Sequence, residues 1–194
     1  MPMVTNILRV QGSMAEAADI LASIADAEAG RGSIDFRRIT PMPDWVYQGE
    51  LDSKTVNEQG ENSWLDWCRD NWKIEWNAVD PRLSAALYDG GDMIRFETKD
   101  KDVRYLMEKL SCIYRDVYFD YLWANEDVDR GAGACQFKGG LEMVSYTPTP
   151  GSKAAYELAF DILHTAPEDH GLIYDDTAGN YVLRGGGQFG RGTD

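Results

Sequence analysis

The segment that decides the fold is residues 93–123, MIRFETKDKDVRYLMEKLSCIYRDVYFDYLW. Apolar and polar residues alternate over 93–98, which is typical of a β-strand with one buried face. Apolar residues then recur at helical spacing as far as Tyr114, and Asp100 is the predicted N-terminal cap. Aromatic and β-branched residues alternate again over 117–123. The segment therefore predicts a β–α–β unit.

The chain before this unit predicts three strands and two helices. Residues 4–10 alternate as a strand, and Ser13 with Glu16 forms a capping-box pattern at the start of the first helix. A second capping-box pattern, Ser63 with Asp66, predicts a short helix. Further strands are predicted at 34–39 and 73–79.

The chain after the unit predicts hairpins. Gly139-Gly140 separates two strand patterns and supplies the positive φ angles of a two-residue turn. A helix is predicted after Thr149, and a last small hairpin joins 172–174 to 181–183. Together these patterns predict an α+β, ferredoxin-like split β-α-β fold, with an antiparallel or mixed sheet and the helices on one face.

Residues 1–184 are predicted to form a single domain. Periodicity is weak after Pro43, and a long stretch without clear elements is often functional. We therefore expect a helical and loop insertion at approximately 40–72. Residues 185–194 are glycine-rich without apolar periodicity and predict a disordered tail.

The chain is strongly acidic. It has 19 basic and 33 acidic residues, a formal net charge of −14, which disfavours direct binding to nucleic acid or to anionic membranes. The charge is consistent either with a solvated surface or with an acidic face that binds a basic groove of another protein. The first residues lack the basic region of a signal peptide, so a cytoplasmic location in the host cell is expected.

Four tryptophans lie within thirteen residues, at positions 64, 67, 72 and 76. Their rings could stack on a base or a nucleotide, but Trp64 and Trp72 share a predicted helix with Leu65 and Cys68, which is typical of core packing. Both interpretations stay open. The residues expected to contact a small ligand, if one binds, are Trp45, Tyr47, Trp67 and Trp76.

The sequence contains no catalytic motif that can be singled out. The only histidines, His164 and His170, do not have the spacing of a metal site, and no glycine-rich phosphate-binding motif occurs. The three cysteines are widely spaced and are predicted to be reduced structural residues. We expect no enzyme activity, no cofactor and no metal.

Several short segments resemble the YubB-like ferredoxin-domain family, which is carried by phages and plasmids. The resemblance lies in residues 6–12 (NILRVQG), 34–39 (IDFRRI), 71–78 (NWKIEWNA), 94–98 (IRFET) and 114–121 (YRDVYFDY), together with Gly131 and Gly139-Gly140. It covers roughly residues 4–146. The resemblance implies a ferredoxin-like fold in a mobile-element protein, and the family offers no established activity to transfer.

These observations predict a non-enzymatic accessory protein of a phage or mobile element. It would bind a host protein with a basic surface, such as a nucleic-acid-binding defence complex that it inhibits in the manner of an anti-CRISPR protein. The acidic, nucleic-acid-mimicking face is expected at Asp116, Asp120, Glu126, Asp127 and Asp129. The alternative is a nucleotide-like ligand held between the 43–76 loop and the tryptophan segment. The oligomeric state is left open.

Overall fold

The centre of the protein is a five-stranded antiparallel sheet with the order β2-β1-β3-β4-β5. The computed structural model describes residues 1–60 and 62–185. The strands of the sheet are β1 (Met3–Gln11), β2 (Met93–Lys99), β3 (Tyr118–Asn125), β4 (Ala132–Lys138) and β5 (Leu141–Tyr146). The predicted α+β class is confirmed, and the sheet is antiparallel throughout.

The β–α–β unit predicted over 93–123 is also confirmed. β2 and β3 lie on either side of β1, and α5 (Arg104–Ile113) connects them. The helix begins without a side-chain cap, so the predicted cap at Asp100 is wrong. Asp100 instead has a left-handed φ of 71° in the loop before the helix. Asparagine and aspartate tolerate this conformation better than most residues, which explains its place in the turn.

Three helices cover the first face of the sheet. α1 (Met14–Ser23), α3 (Trp64–Asn71) and α5 contribute to one buried apolar cluster with the strands. α1 begins as its capping box predicts, with Ser13 Oγ accepting a hydrogen bond from the N–H of Glu16 at 3.2 Å. The largest fully buried side chains of the protein belong to this cluster and include Phe36, Phe96, Phe119, Tyr121 and Phe137. This face therefore holds the main core.

A sixth helix lies on the second face, so the prediction that all helices share one face is wrong. α6 (Lys153–Leu163) contacts β3 and β4, and its Ala159 and Phe160 share a second buried cluster with Ala124 and Ala132 of the sheet. These strands have apolar residues on both faces, and each apolar face needs cover. The predicted small hairpin, β6 (Leu172–Asp175) and β7 (Asn180–Leu183), is confirmed beside this helix.

Two of the predicted strands do not form. The segment 34–39 contains a 3₁₀ helix, Phe36–Arg38, because the N–H of Phe36 donates to the side chain of Asn77 at 2.9 Å rather than to a neighbouring strand. In the segment 73–79, Lys73 has a left-handed φ of 63°, which breaks an extended run. One antiparallel bridge between Val79 and Glu97 joins this segment to the outer edge of β2.

The region predicted as an insertion contains helices. Its sequence pattern does not predict α2 (Ser53–Gln59), which begins where the side chain of Asp52 accepts a hydrogen bond from the N–H of Thr55 at 2.7 Å. α3 begins after Ser63, as the capping box predicts. α4 (Pro81–Ala86) precedes β2. The disordered tail is predicted at 185–194, of which Gly185 is described as a turn residue and 186–194 lie outside the described residues.

A buried hydrogen-bond network joins the three adjacent strands β1, β2 and β3 to the loop before α5. The Tyr121 hydroxyl donates to Asn6 Oδ1 at 2.5 Å and accepts from the N–H of Val103 at 2.8 Å. Asn6 Nδ2 donates to Thr98 Oγ1 at 2.9 Å, and that hydroxyl donates to the carbonyl of Lys101 at 2.6 Å. Burial raises the pKa of Tyr121 well above its usual value, so its hydroxyl stays a donor.

Removal of the Tyr121 hydroxyl should destabilise the protein. In Tyr121→Phe, the N–H of Val103 and Asn6 Oδ1 both lose a partner in a buried environment, so we expect the free energy of unfolding to fall by about 1–3 kcal/mol. Urea unfolding measures this change. The control is Tyr118→Phe in the same strand, whose half-buried ring should tolerate the change within about 0.5 kcal/mol. Equal unfolding midpoints for the two variants would contradict the importance of the network.

Candidate functional site

The part of the second sheet face that α6 does not cover forms a shallow cavity. We call this surface the open sheet face, and its volume is about 490 Å³. Its floor is contributed by β1, β2, β3, β4 and β5, through Ile7, Arg9, Met93, Asp120, Leu122, Ala134, Gln136, Val144 and Tyr146. Most of this lining is apolar, so the surface has the character of a binding site rather than of an ordinary solvated sheet.

The polar side chains of the open sheet face are held by hydrogen bonds and an ion pair. The Asp120 carboxylate accepts hydrogen bonds from Gln11 Nε2 at 2.6 Å and from Gln136 Nε2 at 2.8 Å. Arg9 forms an ion pair with Asp92, with 3.5 Å between Nε and Oδ1. Each oxygen of Asp120 retains a lone pair that can accept from a partner. The face is therefore mainly apolar, and its charged groups are the fixed Asp120 carboxylate and the Arg9 guanidinium.

The edge strand β5 continues this apolar surface to the border of the sheet. All six of its residues are exposed. Leu141, Met143, Val144 and Tyr146 each expose between 51% and 66% of their surface. A β-bulge between the pairs of Gln136 and Phe137 shifts the register by one residue. As a result Leu141 pairs with Lys138 on the side of the open sheet face. An exposed apolar edge of this kind is a favourable place for a protein contact.

A second concave surface lies at the end of the sheet where β1 begins and β2 and β3 end. It consists of two adjoining cavities of about 410 and 440 Å³ that share Lys73, Asp100 and Lys101. We call it the cationic groove. Its remaining charged and aromatic lining residues are Arg69, Trp72, Glu75, Trp76, Lys99, Asp102, Arg104, Tyr105, Trp123 and Arg130.

The groove has the opposite charge to the protein. Six of its lining residues are basic and three are acidic, whereas the whole chain has a net charge of −14. Ion pairs neutralise two of the carboxylates and three of the cations, since Arg130 binds Asp127 outside the groove at 3.0 Å. Glu75 binds Arg69 at 2.7 Å, and Asp102 binds Arg104 at 2.9 Å. The groove is thus a local region of positive potential on an acidic protein.

The structure separates the four aromatic residues that were predicted to bind a ligand. Trp45 is exposed, and the hydroxyl of Tyr47 donates to the carbonyl of Glu50 at 3.2 Å. Trp67 packs edge-on against the buried Trp72, with 5.6 Å between ring centroids. Trp76 alone of the four lines the cationic groove.

The five predicted carboxylates also divide between different places. Asp116 precedes β3 and Asp120 lies in the open sheet face, whereas Glu126, Asp127 and Asp129 follow the strand and line a cavity of about 320 Å³. β3 has eight residues, and at about 3.3 Å per residue its length of roughly 26 Å separates Asp116 from Glu126. The structure therefore brings three of the five together.

Sequence reasoning missed most residues of both surfaces. The lysines and arginines of the groove alternate with Asp100 and Asp102 in the sequence, which hides their local excess. One feature of the sequence could have revealed the exposed edge. Apolar residues occur on both sides of the predicted strand, at Leu141, Met143 and Val144. A strand of this composition indicates burial on both faces or a docking edge.

Two of the three cysteines are unsuited to nucleophilic chemistry. Burial raises the pKa of Cys68 to about 11, and it also raises the pKa of Cys135. Cys112 is exposed. Within the described part of the chain, no three His, Cys, Asp or Glu side chains are grouped so as to hold a metal ion.

No protein family, curated protein or solved structure matches the chain. Among residues 1–60 and 62–185, no helix has both the length and the apolar character needed to cross a membrane.

Thiol labelling should distinguish the three cysteines. The reactive species is the thiolate, and a raised pKa together with burial leaves little thiolate at Cys68 and Cys135 near pH 8. We expect iodoacetamide to modify Cys112 in the native protein and all three cysteines in urea. Peptide mass spectrometry measures the modified sites, and rapid native labelling of Cys68 would show that its surroundings are open.

Proposed function

We propose that this chain is a non-enzymatic accessory protein of a phage or another mobile element, and that it binds a host protein with a basic surface in the host cytosol. The observation that supports this proposal best is the exposed apolar surface of β5 and the open sheet face. An apolar patch of this kind, with few charges at its centre, commonly marks a protein interface.

The mobile-element origin rests on the resemblance to the YubB-like ferredoxin-domain family. The strand order is consistent with it, since β2 and β3 flank β1 and are joined by α5. In a ferredoxin-like arrangement a further strand lies outside β2. The bridge between Val79 and Glu97 occupies that side, and we infer that it is a reduced form of this strand.

The partner is expected to place apolar side chains on Leu141, Val144 and Tyr146, and a basic side chain near Asp120. The remaining charge would act at longer range. A net charge of −14 attracts a basic protein and raises the association rate at low salt. The cluster of Glu126, Asp127 and Asp129, which lines a separate cavity, is proposed as a second, acidic contact. Inhibition of a nucleic-acid-binding defence complex would follow if the partner's basic surface is its nucleic-acid site.

A charge placed in the edge strand should abolish partner binding. In Val144→Asp the new side chain stays exposed to water in the free protein. A partner that binds there would have to desolvate its carboxylate in an apolar contact. We expect affinity capture from host lysate to lose the partner that wild-type protein retains. Val56→Asp on α2 is the matched control, because Val56 is similarly exposed and lies on a different surface. It should retain the partner.

Salt should affect the charged and the apolar contributions to this interface differently. Higher salt should slow association with the captured partner and change its dissociation much less, since apolar contacts are not screened. Biosensor kinetics with the purified partner measure both rates. Loss of the partner from Val144→Asp and Val56→Asp alike, or equal retention by both, would contradict a contact at β5.

A further inference from the structure

The two groove cavities present lysines that form no ion pair, and the carboxylate of Asp100 lines both cavities beside them. Lys73, Lys99 and Lys101 form no ion pair among the residues that the structure describes. Lys73 and Lys101 line both cavities. Of the seven lysines, Lys54 and Lys153 are the two that form ion pairs within the described residues, so the informative feature of the groove lysines is their common location. Three unpaired ammonium groups around one concave surface indicate a site for an anion.

Aromatic rings lie in the same walls as these cations. Lys99 Nζ is 5.3 Å from the ring centroid of Trp76, and the Arg104 guanidinium carbon is 4.5 Å from that of Trp123. Lys73 Nζ lies 5.5 Å from the ring centroid of Tyr105. Such contacts hold the cations at the aromatic walls. A ligand that combines phosphates with a flat ring would use both kinds of group.

The loop that supplies the cations is fixed by the core. The Lys101 carbonyl accepts from Thr98, and the N–H of Val103 donates to the buried Tyr121 hydroxyl. Lys73 and Asp100 have left-handed φ angles of 63° and 71°, and both residues line both cavities. Backbone conformations of this kind are often found at binding sites, where the surrounding structure enforces them.

We propose that the cationic groove binds a free nucleoside polyphosphate. Its phosphates lie between Lys73 and Lys101, and its base packs on Trp76 in the second cavity. Each cavity has a volume within the usual range of small-ligand sites, roughly 300–1,000 Å³. Together they accommodate a base in one and a phosphate chain in the other. This site is separate from the open sheet face and does not depend on the host partner.

The charge distribution favours a free nucleotide over a nucleic acid strand. The groove has three more basic than acidic residues, but the rest of the chain is strongly acidic. A short anion can lie wholly within the positive region. A longer strand would extend past it and meet carboxylates such as Asp127 and Asp129, which repel its phosphates.

Isothermal titration calorimetry of the full chain with ATP, inorganic tripolyphosphate, adenosine and an oligothymidylate, in the presence of EDTA, tests the proposal. We expect ATP to bind more tightly than tripolyphosphate, and adenosine more weakly than either. The double variant Lys73→Asn and Lys101→Gln should weaken ATP and tripolyphosphate binding by roughly tenfold or more, because charge-assisted hydrogen bonds are lost. Asparagine is chosen because it tolerates the left-handed backbone of Lys73.

Two controls make the result specific. Lys54→Gln with Lys153→Gln changes the net charge by the same amount outside the groove and should leave ATP binding unchanged. Trp76→Leu should reduce ATP affinity towards that of tripolyphosphate and leave tripolyphosphate binding unchanged, whereas Trp76→Phe should largely retain ATP binding. Thermal unfolding of each variant verifies that it is folded.

Three results would overturn the proposal. The first is absence of heat with ATP at millimolar concentration. The second is equal weakening by the groove variant and by the charge-matched control, which would indicate a general charge effect. The third is tighter binding of the oligothymidylate than of ATP, which would assign the groove to single-stranded nucleic acid instead.

Discussion

The buried hydrogen bond between Tyr121 and Asn6 is the interaction on which the arrangement of the molecule depends. The two residues lie in the adjacent central strands β3 and β1, and each has further partners outside that pair. Polar groups without access to water must be paired, so the network specifies one alignment of β1, β2 and β3. It also fixes the loop from Asp100 to Val103 against the sheet. The position of the cationic groove is therefore a consequence of core packing.

The two faces of the sheet are covered to different extents. The first face is closed by three helices and holds the large aromatic side chains, whereas α6 covers the second face only in part. Small residues at Ala124 and Ala132 lie under the helix. The uncovered part retains exposed apolar residues, including Met93, Val144 and Tyr146, while Ile7 and Leu122 are half-buried at its border with the α6 cluster. The uncovered part of the second face has a composition suited to burial, but no helix or strand of the described chain covers it.

Much of the fold could be predicted from local pattern, because alternation, helical spacing and turn residues are properties of short segments. The strand, helix and strand over 93–123 and the Gly139-Gly140 hairpin follow directly from them. The strand predicted at 34–39 failed because the backbone of Phe36 pairs with a side chain 41 residues away. No local pattern reports such a contact. For the same reason, local pattern could not predict on which side of the sheet α6 packs.

The candidate sites were harder to predict, because both consist of residues from distant segments. Lys73 and Lys101 become neighbours only when the 73–79 segment lies beside the end of β2. Trp76 could be named from its cluster, but its separation from Trp67 depends on where α3 ends. The predicted carboxylates follow one strand in sequence. A strand is extended, so proximity in sequence did not bring Asp116 close to Glu126.

The bulge in β5 has a consequence for how this strand can vary in length. The two-residue turn at Gly139-Gly140, with φ angles of 59° and 82°, fixes Lys138 opposite Leu141. From the other end, Val144 is fixed opposite Gln136. Met143 is the one residue between these anchors without a partner of its own in the ladder. A chain lacking Met143 would keep the turn, the pairing and the outward direction of every other side chain. Homologous chains can therefore differ by one residue at this position, losing the Met143 side chain while Leu141, Val144 and Tyr146 keep their places on the surface.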